Sequence, residues 1–221
     1  MSPVVVPLQT RPPRRSWLRF GLRMLFLLTF ACAVILGVTM KRLRDRKAAL
    51  SAIIAADGTM GMQEGGPEWL RQLIQDDECF LDPLRVSLGP IARQAGRVMP
   101  SLDDARLEKL SGALKNFDHL EVLDIRRTAI TDRSAQLLSE LPNIKHLRLA
   151  DTQISDTTVH RISYLRRLES LDLSGTGVTD ECVDDLCKLS SLTYLDVGHT
   201  KITSNGVARL QQQLVRCKIS N

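Results

Sequence analysis

A pattern of hydrophobic and polar positions recurs every 24 residues in the C-terminal half of this chain. Four segments align without a gap, LEVLDIRRTAITD, IKHLRLADTQISD, LESLDLSGTGVTD and LTYLDVGHTKITS, beginning at Leu120, Ile144, Leu168 and Leu192. Their shared frame is L-x-x-L-x-L-x-x-T-x-I-(T/S)-D, with Ser replacing the final Asp in the fourth copy. The alternating apolar residues predict one short strand per copy. Repetition at this period is typical of a solenoid whose strands stack into a parallel sheet.

The segment after each strand has helical spacing. Thr131-Asp132, Ser155-Asp156 and Thr179-Asp180 are favourable helix N-caps. Apolar residues then follow at intervals of three, at Ala135/Leu138/Leu141, Val159/Ile162/Leu165, Val183/Leu186/Leu189 and Val207/Leu210. Because no copy can bury its apolar side alone, neighbouring copies must stack and both ends must be capped.

The N-terminal segment carries a continuous apolar run between basic clusters. No residue from Met24 to Met40 is charged, and this length is at the lower end of what spans a bilayer. Flanking Arg and Trp side chains can reach the headgroups, so we predict a transmembrane helix over residues 17–40. A cleaved signal peptide is the alternative, because Ala31-Cys32-Ala33 resembles a cleavage site. The apolar run continues past that site, which favours a retained anchor.

The charges that flank the predicted span do not fix its orientation. Five basic residues precede it and five follow it, which is a tie under the positive-inside rule. A short tail ahead of a single span commonly stays inside. We therefore expect a single-pass membrane protein whose repeat domain is extracytoplasmic.

Six regions are expected along the chain. They are a disordered basic and Pro-rich tail (1–16), the transmembrane helix (17–40), a juxtamembrane helix with a Gly-rich linker (41–66), an N-terminal cap with an irregular first repeat (67–116), four 24-residue repeats (117–214) and a C-terminal capping strand (215–221). The juxtamembrane helix should end near Ala56, since Asp57-Gly58 follows. Within the cap we expect a short helix from Pro67, a strand over Leu84–Leu88, an irregular excursion over Gly89–Pro100 and a helix over 102–117.

The four in-register copies resemble the leucine-rich-repeat family over about residues 84–221. The resemblance implies an α/β leucine-rich-repeat solenoid with short parallel strands on its concave face and helical return strokes. Thr128, Thr152, Thr176 and Thr200 stand where such repeats often carry Asn, and their hydroxyls could replace the amide in bonding the backbone of the neighbouring turn. Together with the apolar helix, the chain resembles bacterial membrane-anchored leucine-rich-repeat proteins with a single N-terminal span.

Composition narrows the choice of partner. The chain has a formal net charge of +5, but residues 1–47 hold ten Lys and Arg against one acid. In the remainder, twenty Lys and Arg face twenty-four acids, so no basic surface is expected to follow a nucleic-acid backbone. The five cysteines show no C-x-x-C and no His at ligand spacing, which favours small buried residues over a zinc site or disulfides. We expect neither a metal nor a small-molecule cofactor.

One stretch, from Asp172 to Val178, resembles the nucleophile loop D-x-D-G-T-x-V of haloacid-dehalogenase-type phosphatases. The repeat accounts for these residues, because a threonine at the position of Thr176 recurs in every copy. The stretch also departs from the phosphatase motif, since Ser174 stands in place of its second acid. A phosphatase-like enzyme using Asp172 stays an alternative, as does a ligase-type substrate-receptor adaptor. An adaptor would need a docking domain where this chain has its span. We expect no catalytic residues and no enzymatic activity.

The side chains between the strand leucines point outward and form columns on the predicted concave face. We expect this face to bind an unknown protein or peptide. The candidate contact residues are Asp124, Arg126, Arg127, His146, Arg148, Asp151, Asp172, Tyr194, Asp196 and His199. The open alternative is a solvated sheet surface whose cross-strand ion pairs contribute little. The function favoured by the sequence is a membrane-tethered, non-catalytic protein-protein interaction module.

Overall fold

The structure is a computed structural model, and it describes residues 16–56, 58–64, 81–89, 102–141 and 143–221. The chain divides into two compact units, Met1–Arg42 and Leu43–Asn221. The predicted disordered tail before Ser16, the helix beginning at Pro67 and the excursion after Gly89 lie outside the described residues.

Helix α1 runs from Ser16 to Ala55. In the first unit most of its described side chains from Met24 onward are exposed and apolar, and Phe30 is 70% exposed. By length and composition α1 is suited to cross a membrane, a test that a signal sequence near the N-terminus also passes.

The last turns of α1 belong to the second unit and form part of its core. Ala49, Leu50 and Ile53 are buried there, and Arg46 donates a hydrogen bond to Asp118 at 3.0 Å. The predicted helix end near Ala56 agrees with the observed end at Ala55. These turns cover apolar surface at the N-terminal end of the solenoid, which a terminal repeat would otherwise leave exposed.

Among the described residues, seven strands form one sheet in chain order. They are β1 (Thr59–Glu64), β2 (Leu81–Ser87), β3 (Val122–Asp124), β4 (His146–Arg148), β5 (Ser170–Asp172), β6 (Tyr194–Asp196) and β7 (Lys218–Ser220). From β2 onward all neighbours are parallel, and the register places Val122, His146, Ser170 and Tyr194 side by side. The fold predicted from the repeat, a leucine-rich-repeat solenoid with parallel strands, is confirmed.

The prediction of a Gly-rich linker before the repeats is wrong for residues 59–64. They form β1, which pairs antiparallel with β2 and contains an irregularity between Gly61 and Met62. Pairing satisfies the backbone groups on the outer edge of β2, which would otherwise remain open. Gly58 permits a close approach here, because a Cβ on it would lie 2.7 Å from side-chain atoms of both Ile53 and Leu88.

The return strokes are short helices. The helices after α1 are α2 (Asp104–Lys115), α3 (Ala135–Ser139), α4 (Asp156–Ile162), α5 (Val183–Leu186) and α6 (Ser204–Gln213). A single 3-10 turn precedes α3 and another precedes α5.

The predicted helix N-caps are formed, since Thr131, Ser155 and Thr179 each accept a hydrogen bond from a backbone N–H two residues further on. Helix α2 agrees with the helix expected over 102–117.

The strand leucines and the helix residues close one continuous core. Leu123, Leu147, Leu171 and Leu195 are at most 1% exposed. The column two residues later is also buried, at Ile125, Leu149, Leu173 and Val197. Burial of each such side chain stabilises the fold by roughly 1.5–3 kcal/mol, so the repeated Leu positions belong to the architecture.

The threonine column bonds its own turn, and the expectation that it bonds the neighbouring turn is wrong. Thr128 Oγ1 donates to the carbonyl oxygen of Ile125 at 2.7 Å, and Thr176 Oγ1 donates to that of Leu173 at 2.5 Å. Thr152 and Thr200 make the same bond. A hydroxyl on a short side chain reaches back three residues, whereas crossing to the next turn needs a longer group such as the Asn amide.

A ladder of aspartates fastens each repeat to the next one. Asp132 accepts hydrogen bonds from the backbone N–H of Ser155 at 2.9 Å, from its hydroxyl at 2.5 Å and from the Thr158 hydroxyl at 2.6 Å. The same N–H and hydroxyl pair is bound by Asp104 at Thr131, by Asp156 at Thr179 and by Asp180 at Thr203. We call Asp104, Asp132, Asp156 and Asp180 the aspartate ladder.

The hydrogen bonds of the ladder lower the pKa of Asp104, Asp132 and Asp180. Burial alone would raise the pKa of Asp132, but hydrogen bonds from Ser155 and Thr158 together hold it below its ordinary value. For Asp104, burial is likewise outweighed by bonds from Ser134 and Thr131, and the pKa is lowered. Hydrogen bonds from Thr203 lower the pKa of Asp180. A carboxyl with a depressed pKa stabilises the fold above its unfolded pKa and loses that contribution as the pH falls through its folded pKa.

The free energy of unfolding should therefore be steady near neutral pH and fall as the pH drops below about 4, the ordinary range of an Asp side chain. Asp132→Asn should remove roughly 2 kcal/mol at pH 7 and flatten the fall on acidification. Urea titrations of the full chain in nonionic detergent, followed by circular dichroism at several pH values, measure both effects. Asp184→Asn is the matched control, since the Asp184 side chain is 81% exposed. Equal effects of the two substitutions would contradict a structural role of the ladder.

Candidate interaction surface

The turn after each of the strands β3–β6 holds one residue in the left-handed backbone region. These residues are Arg127 (φ 56°), Asp151 (φ 55°), Gly175 (φ 68°) and His199 (φ 56°). Glycine suits this position, and at Gly175 a Cβ would also collide with Asp151 Oδ1. The other three copies carry a side chain there, which costs roughly 1 kcal/mol or more for each residue.

Those three side chains lie along the exposed rim of the strands. Arg127, Asp151 and His199 are exposed. Arg127 Nε approaches Asp151 Oδ2 at 3.4 Å, and both side chains remain more than half exposed. Such an exposed pair contributes little to stability. The three predicted contact residues are therefore accessible to a partner.

Asp124 is buried, which contradicts its predicted position as an outward contact residue. It is 7% exposed, because the side chain of Arg126 folds back over it. Arg126 Nε and Nη2 donate to the two carboxylate oxygens at 2.9 Å each, and Arg148 Nη1 reaches Oδ2 at 3.4 Å. Although burial raises the pKa of Asp124, the hydrogen bonds and charge of Arg126 and the charge of Arg148 lower it overall. Asp124 orients two arginines that remain about 40% exposed.

Asp124, Arg148, Asp172 and Asp196 lie side by side on β3–β6 and form one column. Asp172 and Asp196 are its last two members. The register places them side by side on β5 and β6. Asp172 Oδ1 accepts hydrogen bonds from the Ser174 hydroxyl at 2.7 Å and from its N–H at 3.2 Å. Asp196 accepts from the Gly198 N–H at 3.0 Å and from the Tyr194 hydroxyl at 3.1 Å. Within the part of the chain that the structure describes, neither carboxylate has a cation within 4.0 Å.

The surroundings of Asp172 are those of a turn. Its bonds to Ser174 close the end of β5, and the Arg126 and Gly198 N–H groups bond Asp124 and Asp196 in the same way. Asp172 is thus explained by the repeated turn, as Thr176 is. Among the described residues, no group of three or more His, Cys, Asp or Glu could hold a metal ion.

His146 and Tyr194 share the first outward column, and both are half-buried. Burial and the hydrogen bond to Asp196 raise the pKa of Tyr194, so the phenol is protonated near neutral pH. Two further residues, Arg85 and Lys218, belong to this column and were not predicted from the sequence. Arg85 on β2 pairs with Val122, and Lys218 on β7 pairs with Tyr194. In the sequence, the alternation of apolar and polar residues in LRVSL and in VRCKI indicated that both side chains point outward.

These strands, their turns and their buried leucines agree with a comparison against protein families. A family model described as Leucine Rich repeat matches residues 118–139, 165–187 and 188–210. The matched segments are leucine-rich repeats. The leucines, the threonine column and the αL turns described above are thus features of its leucine-rich repeats. The comparison with curated proteins gave no match.

Several solved structures are similar to this leucine-rich-repeat chain. An internalin from Listeria monocytogenes is 24% identical over 49% of this chain and 30% of its own chain, with a TM-score of 0.38. An internalin C2 from the same organism is 20% identical over 49% of this chain and 45% of its own, with a TM-score of 0.37. The actin-binding site 2 of leiomodin-1 is 13% identical over 60% of this chain and 79% of its own, with a TM-score of 0.42. The chain spans less than half the length of either internalin.

Proposed function

We propose that this chain is a membrane-tethered, non-catalytic module that binds a protein or peptide through its strand surface. The strand surface comprises the outward residues of β3–β6 and of the turns that follow them. Its candidate contacts are Arg126, Arg127, His146, Arg148, Asp151, Asp172, Tyr194, Asp196 and His199, with Asp124 as the residue that orients two of the arginines. Leucine-rich repeats typically serve as protein-protein interaction modules, and concave solenoid surfaces are their usual binding sites.

The strained turns carry this proposal. Arg127 and His199 keep a side chain at positions of positive φ, where Gly175 shows that the repeat accepts a glycine. Folding alone would favour glycine at each copy, because an L-residue in this region costs free energy. Both side chains are exposed, and within the described part of the chain Arg127 pairs only with the exposed Asp151, a contact that offsets little of the cost. A binding role explains why they are present.

The charge arrangement supports a partner of mixed charge. Arg126 and Arg148 are held in place by Asp124, and Arg127 directly follows Arg126 in sequence. The arginines outnumber Asp124 and Asp151 there, so the first half of the strand surface carries a net positive charge. Asp172 and Asp196 make the second half anionic. A partner that presents an acidic group to the first half and a basic group to the second would be oriented by both, which favours specificity.

The membrane tether in this proposal is residues 17–40. Its support is the uncharged run from Met24 to Met40 and the helical structure of α1 through it. A tether of this kind would hold the strand surface in one compartment, and we place it outside the cytoplasm.

Asp172→Arg/Tyr194→Ala should abolish capture of the bound partner in a quantitative pull-down from the native membrane fraction. The new Arg reverses the charge next to Asp196, and the Ala removes the aromatic that donates to it. The matched control Glu108→Arg/Gln211→Ala introduces the same change in charge at two exposed positions on α2 and α6 and should retain the partner. An unchanged set of partners in a variant with a normal melting profile would refute the strand-surface assignment.

The topology is tested by labelling with a membrane-impermeant maleimide. Val215 is 83% exposed, so Val215→Cys should react in intact cells if the repeat domain is extracytoplasmic. The wild type supplies the background, because Cys217 is partly buried and burial raises the pKa of its thiol. Leu8→Cys in the N-terminal tail is the control and should react only after lysis. The opposite pattern would place the repeats in the cytoplasm.

A further inference from the structure

The segment at the end of α4 carries an exposed aromatic residue that is flanked in sequence by arginines. We call Arg161, Tyr164, Arg166 and Arg167 the Tyr164 patch. Tyr164 is 67% exposed, and all three arginines are exposed. In the described part of the second unit, the large hydrophobic side chains that are exposed include one aromatic, Tyr164. Large aromatics usually pack inside a fold, so this exposure needs a reason.

The repeat itself does not require these residues. At the 24-residue spacing, the positions equivalent to Tyr164 are Glu140, Lys188 and Gln212, all of them polar. The positions equivalent to Arg166 and Arg167 are Pro142 and Asn143 in the first copy and Ser190 and Ser191 in the third. The solenoid therefore folds with other side chains there, and the Tyr164 patch is a property of the second copy.

The positive charge of the patch is not neutralised within the described part of the chain. Arg161 and Arg166 make no ion pair with any described carboxylate, and Arg167 donates to the neutral side-chain oxygen of Asn143 at 2.6 Å. On the following repeat, Asp185 is engaged by other residues. Asp185 bonds His160 at 3.0 Å and Lys188 at 2.5 Å.

The tyrosine ring has a defined orientation. The His160 ring meets it edge-on, with 6.3 Å between the centroids and an interplanar angle of 84°. His160 is in turn oriented by Asp185. An oriented, exposed aromatic beside arginines has the composition that is enriched at protein-protein hot spots.

We propose that the Tyr164 patch is a second docking surface, for an acidic segment of a partner protein that also carries an apolar residue. Carboxylates of the segment pair with Arg161 and Arg166, since guanidinium groups match carboxylates in a two-bond geometry. The apolar residue covers the Tyr164 ring. The patch is one repeat wide, and the next repeat presents Glu181 and Asp184 to solvent. Those acids would repel an extended anionic surface such as a bilayer, whereas a short acidic segment fits beside them.

Fluorescence anisotropy with the full chain in nonionic detergent tests this surface. The probe is a fluorescein-labelled peptide of sequence EEDLFEDE, and its neutral counterpart is QQNLFQNQ. The acidic peptide should bind at least about tenfold more tightly than the neutral one, and Arg161→Glu/Arg166→Glu should weaken its binding at least about tenfold. Tyr164→Ala should weaken it by about threefold or more. Binding should decline with added salt, since exposed charges are screened.

The matched control is Lys109→Glu/Lys201→Glu, which changes the net charge equally at two exposed positions and should leave affinity within about twofold. Arg161→Gln/Arg166→Gln should also weaken binding, and it replaces the Glu variant if that variant loses its circular dichroism spectrum. Asp172→Arg/Tyr194→Ala should bind the acidic peptide with wild-type affinity. The test of the Tyr164 patch is therefore independent of the strand surface.

Four results would overturn the docking surface. They are no binding of the acidic peptide by the wild type, equal binding of the neutral peptide, an equal loss in the lysine control, and unchanged binding when both arginines are replaced. Displacement of the peptide by vesicles of phosphatidylcholine and phosphatidylserine, but not by phosphatidylcholine alone, would assign the patch to a lipid surface instead.

Discussion

The aspartate ladder is the interaction on which the stacking of the repeats depends. At the start of each return stroke, one carboxylate accepts hydrogen bonds from the N–H and the hydroxyl of the Ser or Thr that caps the next stroke. The donor residue is also the N-cap of its own helix. Each Ser or Thr therefore joins two repeats and starts a helix. The buried leucines supply most of the driving force, but they are not directional, and the ladder defines the register.

The two ends of the ladder show how the solenoid is terminated. Asp104 comes from helix α2 and bonds Thr131 of the first regular repeat. At the other end, Thr203 bonds Asp180, and Ser204 stands where the earlier copies have their aspartate. At the N-terminal end, buried residues of α1 and the antiparallel strand β1 close the core and the sheet edge.

Once the architecture is separated out, the remaining side chains form two surfaces. The strand leucines and the threonines recur in all four copies, the ladder aspartates recur in the first three, and all of them are engaged within the fold. The outward strand residues and the Tyr164 patch differ from copy to copy, and they hold charges and aromatics that the fold does not use. Asp124 is the exception, because Arg126 and Arg148 bury it as an internal counter-ion.

Sequence periodicity predicted the repeated part of the fold well, because each strand pairs with its copy 24 residues away. It predicted β1 poorly, since the glycines near Gly58 resemble a linker and the pairing with β2 is long-range. The burial of Asp124 depends on the conformation of Arg126, which no repeat pattern encodes. The exposed contact residues at Arg127, Asp151 and His199 could be placed from their columns, but their positive φ angles could not. The sequence also could not show that each threonine hydroxyl bonds a carbonyl of its own turn.

The separation of architectural from functional carboxylates is tested most directly by comparing the free energies of unfolding of Asp156→Asn and Asp172→Asn. Asp156 belongs to the ladder, and an amide there loses the charge that strengthens its two hydrogen bonds to Thr179. We expect Asp156→Asn to lower the free energy of unfolding by roughly 1–2 kcal/mol. Asp172→Asn keeps an acceptor for Ser174 and should stay within about 0.5 kcal/mol of the wild type. The reverse order would contradict the account.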